Sequence, residues 1–173
     1  MADDPLMPYK NAFYVDGSFR DIYIFETDEQ DWQKLLIFLR SSPYSIEFSV
    51  DEQSMSLPER IETIFALRED HGTVLHIDKG HLALNCFFFT SEEIDFDLDP
   101  HDFQDEIAGE QIARLLDFMR TVGRLLNKAI VLTPEGASRT PLFRFDPETD
   151  EEKWFLENIE RGYQWAMWTK ERA

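Results

Sequence analysis

The residues best equipped for chemistry in this chain are carboxylates, and they are bunched. From Ser91 to Glu110 the sequence carries Glu92, Glu93, Asp95, Asp97, Asp99, Asp102, Asp105, Glu106 and Glu110, with no lysine or arginine among them. If Ile94 to Leu98 is a strand, Asp95, Asp97 and Asp99 project from one face, and Ile94, Phe96 and Leu98 from the other. Three roles suit such a pattern. Charge on an exposed strand face keeps chains from pairing edge to edge. A patch of one sign attracts a partner of the other sign and speeds its association. Carboxylate oxygens also suit a hard divalent cation, although the spacing is not that of an EF-hand loop, which needs a glycine at its sixth position and a glutamate at its twelfth.

The four histidines are His71, His76, His81 and His101. His76 and His81 flank a tight turn and are expected to face each other across a hairpin, where two imidazoles and a carboxylate such as Asp95 or Asp97 would make a transition-metal site. No HExxH, HxH or CxxC spacing supports it. Cys86, the single cysteine, lies in an aromatic strand of an acidic chain. Apolar burial and negative charge both oppose a thiolate, so Cys86 reads as a core residue rather than a nucleophile. No serine elbow and no glycine-rich phosphate loop is present. The last aromatic feature is the pair Trp165 and Trp168, three residues apart and off the main apolar face of the C-terminal helix, where exposed tryptophans would anchor an interface.

The elements that must position these groups follow from hydrophobic period and turn residues. Phe13–Val15 and Ile22–Phe25 read as a hairpin across Asp16-Gly17. Residues 28–40 form an amphipathic helix on Trp32, Leu35, Leu36 and Leu39, capped by Thr27 with Gln30. Tyr44–Val50 alternates as a strand. Ser56 with Glu59 announces a helix carrying Ile61, Ile64 and Phe65. Thr73–Ile77 and His81–Phe89 pair across Asp78-Lys79-Gly80, and Ile94–Leu98 adds a strand. The clearest helix bears Ile112, Leu115, Leu116, Met119, Val122 and Leu126. Two short strands, Ala129–Leu132 and Leu142–Phe145, and a helix over 149–170 complete the chain. The order ββ-α-β-α-ββ(β)-α-ββ-α predicts an α+β fold: a largely antiparallel sheet of six to eight strands with four helices on one face.

Composition sets the outer limits. The chain has 173 residues, 43% of them apolar, with 15 Phe, 5 Tyr and 4 Trp. That suits one globular domain over 11–173, with residues 1–10 a loose tail broken by Pro5 and Pro8. Against 35 acidic residues stand 17 basic ones, a formal charge of −18. Such a chain repels nucleic-acid phosphates and anionic lipid. No apolar run nears the ~18 residues of a membrane span. The N-terminus lacks the pattern of a signal peptide, and one cysteine suits a reducing, cytoplasmic compartment. No cofactor is expected.

These readings favour a small acidic non-catalytic module that docks a basic protein, of immunity or regulatory type. Its contact residues would be Glu92, Glu93, Asp95, Asp97, Asp99, Asp102, Asp105 and Glu106, with Trp165 and Trp168 as anchors. The alternatives are a metal-assisted hydrolase built on an Asp/His cluster, and a homodimeric structural or assembly protein joined through the C-terminal helix.

Overall fold

The computed structural model describes residues 5–172. The chain runs α1 (Met7–Lys10), β1 (Arg20–Phe25), α2 (Glu29–Ser41), β2 (Ser45–Val50), β3 (Gln53–Met55), α3 (Ile61–Arg68), β4 (Thr73–Lys79), β5 (Leu82–Cys86), β6 (Glu93–Leu98), α4 (Ala108–Leu126), β7 (Ile130–Pro134), β8 (Phe143–Asp146), β9 (Glu151–Trp154) and α5 (Leu156–Arg172). Three short 3-10 turns, at 11–13, 100–103 and 105–107, join them. All strands form one sheet, in the order β3-β2-β4-β5-β6-β1-β7-β8-β9, with every neighbour antiparallel. The fold is α+β, with nine strands and five helices among the described residues. No helix among them is long and apolar enough to cross a membrane.

Strict alternation along the strands divides the sheet into two unlike faces. Ile22, Ile24, Leu75, Ile77, Leu82, Leu84, Cys86, Ile94, Phe96 and Leu98 point to one side and are buried. Over them lie Trp32, Leu35, Leu36 and Leu39 of α2, and Leu115, Phe118, Met119 and Val122 of α4. Phe118 meets Phe96 edge to face at 5.3 Å. Trp32 tilts onto Phe88 at 5.0 Å and donates its indole N–H to the Thr90 carbonyl at 3.1 Å. The helical stripes recur every three to four residues, which is what a face-down helix needs. On the opposite face of the central strands no helix stripe of this kind lies among the described residues, and the side chains there are mostly half-buried.

Several local expectations give way to tertiary contacts. Phe13–Val15 forms no strand: Asn11–Phe13 is a 3-10 turn, and Phe13 stacks on Phe103 at 4.2 Å. The Arg20 guanidinium holds this segment in place, donating Nε to the Ala12 carbonyl at 2.8 Å and Nη2 to the Tyr14 carbonyl at 2.7 Å. Those carbonyls are thereby taken from any ladder. Met7–Lys10, placed in the loose tail, is a helical turn whose Tyr9 ring lies 4.8 Å from Trp154. The rest of that expected tail, residues 1–4, lies outside the described residues.

Helix α2 is capped by Asp28, whose side chain accepts from the Asp31 N–H while Asp31 answers the Asp28 N–H. Thr27, expected in that role, donates its hydroxyl to the Ser91 carbonyl instead. Helix α3 has no cap of its own, and its first N–H donates to Gln33 of α2 at 2.9 Å. Residues 151–154, expected inside the last helix, form β9. Asp150 takes a left-handed φ of 56°, and Trp154 pairs directly across from Phe143. With the expected Phe13–Val15 strand lost, the two unexpected strands are the short pieces β3 and β9, which carry too little apolar period to announce themselves.

Candidate functional site

Strand β6 does what its alternation predicts. Ile94, Phe96 and Leu98 are buried under the helices, and Glu93, Asp95 and Asp97 stand on the uncovered face. Register then adds residues that the acidic stretch gives no hint of. Asp97 lies opposite Asp21, Asp95 opposite Tyr23, and Glu93 opposite Phe25, all on β1. On the other side, Asp97 lies opposite Asn85 of β5. Four carboxylates thus share one patch of sheet although Asp21 is far away in sequence. Tyr23 and Phe25 stack at 5.4 Å along one flank, and Phe87 and Phe89 stack at 5.5 Å just past the end of β5.

A polar chain crosses this face. The Asn85 Nδ2 group donates to Asp97 Oδ1 at 2.9 Å, and its carbonyl oxygen faces His76 Nδ1, also at 2.9 Å. An ionised Asp97 only accepts, so the Asn85 amide must turn its NH₂ toward it, and His76 must carry its proton on Nδ1 to complete the row. Tyr23 donates its hydroxyl to Asp21 Oδ2 at 2.9 Å, and the Gly136 N–H donates to the same oxygen at 2.8 Å.

No ion pair reaches Asp21, Glu93, Asp95 or Asp97 among the described residues. The basic side chains that pair do so elsewhere, Arg114 with Glu110, Lys79 with Asp117, Arg124 with Asp150 and Arg120 with Glu152. The result is visible in the carboxyl acidities. Asp95 is pushed up to about 6 by burial, then by the charges of Glu93, Asp21 and Asp97. Its Oδ1 is enclosed and has no hydrogen-bond partner. Burial raises Asp97 as well, and the Asn85 bond opposes the rise. Burial likewise raises Glu93. Tyr23, half enclosed beside these charges, resists ionisation even more than an ordinary tyrosine. Burial leads in every case, and for Asp95, Asp97 and Tyr23 the neighbouring negative charges add to it.

The remaining residues expected at this site lie off the sheet face. Glu92 is exposed in the turn before β6, and its carbonyl accepts from the Thr27 N–H. Asp99 ends the strand and caps the next 3-10 turn, accepting from the His101 N–H at 2.9 Å and meeting the His101 ring at 2.6 Å. Its carboxyl sits below its usual value: burial pushes it up, and those His101 bonds more than offset it. Asp102, Asp105 and Glu106 belong to the 3-10 turns leading into α4. Trp165 and Trp168 are on α5, 67% and 49% exposed, on a helix that packs against α1 and the turn after it. Arg172 stacks on Trp168 at 4.0 Å.

The histidine pair does not form. His76 lies opposite Asn85, and His81 is an exposed residue of the β4–β5 turn. The turn is centred between Gly80 and His81, so His81 sits in the turn itself and residues 76 and 81 are not cross-strand neighbours. Among the described residues, no group of three or more His, Cys, Asp and Glu side chains is arranged to hold a metal ion. Cys86 is buried on the helix-covered face, and enclosure followed by the nearby Asp95 charge pushes its thiol pKa well above the ordinary value. Compared with protein-family models, with curated proteins and with solved structures, the chain finds no match in any of the three.

Proposed function

We propose that this chain is a small non-catalytic binding domain that docks a basic protein on the uncovered face of its sheet, as an immunity-type or regulatory protein would. One observation carries the reading: Asp21, Glu93, Asp95 and Asp97 share that face with no cation among the described residues paired to them. Like charges held opposite one another in a sheet weaken it. A partner that brings arginine or lysine relieves the repulsion, and its docking is steered over long range by the net charge of −18. The flanking Tyr23, Phe25, Phe87 and Phe89 supply the aromatic area in which interfaces are rich. Alternate carboxylates on one strand also stand roughly 7 Å apart and spread over a face, which suits a contact surface better than a reaction centre. A reducing, cytoplasmic setting agrees with a lone, buried Cys86.

The test is a capture experiment with the parent chain and with the variant D21N/E93Q/D95N/D97N, each immobilised and exposed to lysate of its own cell at low salt. Proteins of basic isoelectric point should bind the parent, leave at 1 M salt where the Debye length is ~3 Å, and fail to bind the variant. Equal capture by both chains, or capture of acidic proteins alone, would refute the proposal.

The exposure of Trp165 and Trp168 favours a second reading, a homodimer joined through α5. Light scattering on the parent and on W165A/W168A separates the two: a dimer that the double substitution dissolves supports it, and a monomeric parent removes it.

A further inference from the structure

A second region of the uncovered sheet face is built differently. The loop from β7 to β8 doubles back over the sheet, tied by the Gly136 N–H to Asp21 and by the Glu135 carboxylate to the Phe19 N–H at 3.1 Å. Beneath it Thr133 is fully buried and Val131 is 9% exposed, although neither faces the helices. Beside the loop remains a cavity of about 520 Å³ lined by Val131, Phe25, Phe155 and Pro141, with Lys128 and Arg144 also on its wall. In a chain of such negative charge, two cations on an aromatic-lined hollow call for a reason.

The two cations are held differently, Lys128 by an ion pair and Arg144 by one long contact. Lys128 lies 3.6 Å from Asp31, a carboxylate it shares with Lys34 at 3.8 Å. Arg144 reaches Asp146 with one nitrogen at 3.4 Å, and its Nε and Nη1 donors have no partner among the described residues. Contrast Arg20, whose guanidinium is wrapped by four backbone carbonyls. A third cation, the Lys153 ammonium, stands 4.8 Å over the Phe155 ring. A guanidinium fork with free donors recognises a carboxylate, and a hollow of this size suits a small molecule. Glu26 is the acidic residue of the lining, so a singly charged ligand fits better than a dianion.

We infer that this cavity takes a small organic carboxylate with a flat apolar body, its ring among Phe25, Val131 and Phe155 and its carboxylate on Arg144 and Lys128. The cavity shares Phe25 with the docking face, but the inference does not rest on partner docking.

The probes are 2-naphthoate and its uncharged counterpart naphthalene-2-methanol, titrated calorimetrically into the full chain. Naphthoate should bind saturably at one site, about tenfold or more tighter than the alcohol. Arg144→Gln should weaken naphthoate by about tenfold and leave the alcohol within twofold, and Lys128→Gln should act in the same direction. Arg139→Gln removes a charge from the same loop but not from the cavity wall, and should change neither. Absence of saturable binding, equal binding of both probes, or equal losses in the Arg144 and Arg139 variants would overturn the inference.

Discussion

Asn85 and Asp97 face each other across β5 and β6, and the amide donates to the carboxylate at 2.9 Å. This bond opposes the rise that burial and the charges of Asp21, Glu135 and Asp99 impose on Asp97. Asn85→Leu removes the donor and leaves the carboxylate. The Asp97 carboxyl should then titrate at higher pH than in the parent, read by carbon NMR. Stability at pH 7 should fall by about 1 kcal/mol and recover toward parent values in acid, where a protonated Asp97 needs no donor. An unmoved titration would show that the bond does not hold in solution.

Asp95 gives a prediction of opposite sign. Its folded pKa of about 6 lies above its ordinary 3.8. Between those values the folded chain keeps a proton that the unfolded chain releases, so stability falls as pH rises through this window. The penalty is absent below about pH 4 and complete above about pH 6. Asp95→Asn should therefore stabilise the protein at pH 8, by roughly 1 kcal/mol once partial exposure is allowed for. Denaturant melts at pH 8 and pH 4 test it: the gain should vanish at the lower pH, and a gain that persists there would point to packing instead of charge.

Gly123 of α4 packs directly against Phe145 of β8 and Ile130 of β7. A Cβ at this position would sit 2.9 Å from Cδ1 of Phe145 and 3.3 Å from Cγ2 of Ile130. Both neighbours are buried and have nowhere to go. Alanine would gain ~1 kcal/mol in helix propensity, yet overpacking of this kind costs about 1–3 kcal/mol. Gly123→Ala should lower the melting temperature, whereas Gly162→Ala in α5, where a Cβ meets nothing within 4 Å, should not.

Cys86 should be silent toward thiol reagents in the folded chain. Enclosure and the neighbouring carboxylates disfavour its thiolate, and the thiolate is the reactive form. Mixed with dithionitrobenzoate at pH 8, native protein should react only at its opening rate, while one equivalent should react at once in denaturant. Fast reaction of the native chain would contradict its burial.

What the sequence made legible was period; what it hid was register. The alternation of Ile94, Phe96 and Leu98 with Asp95 and Asp97 marks β6 and both its faces, and the apolar spacing of Ile112 to Leu126 marks α4. Nothing in the acidic stretch says that Asp21 will stand opposite Asp97, because that depends on a pairing between strands some seventy residues apart in sequence. The same holds for Tyr23 beside Asp95 and for the Gly136 amide on Asp21. Short strands escaped for another reason. Glu151–Trp154 reads as helix by composition, and only the cross-strand match of Trp154 with Phe143 decides for β structure. His76 and His81 look paired by spacing alone, but with the turn centred between Gly80 and His81 the partner of His76 is Asn85.

The width of the sheet carries a last consequence. Nine strands laid in one layer leave two rims, β3 and β9, and each is short, three and four residues. The second begins with Glu151 and Glu152, and Arg120 clasps Glu152. Neither rim offers a long row of open amides on which a visiting chain could lengthen the ladder. Whatever meets this molecule must come broadside and be read by side chains, so its specificity is written in charge and ring faces rather than in backbone.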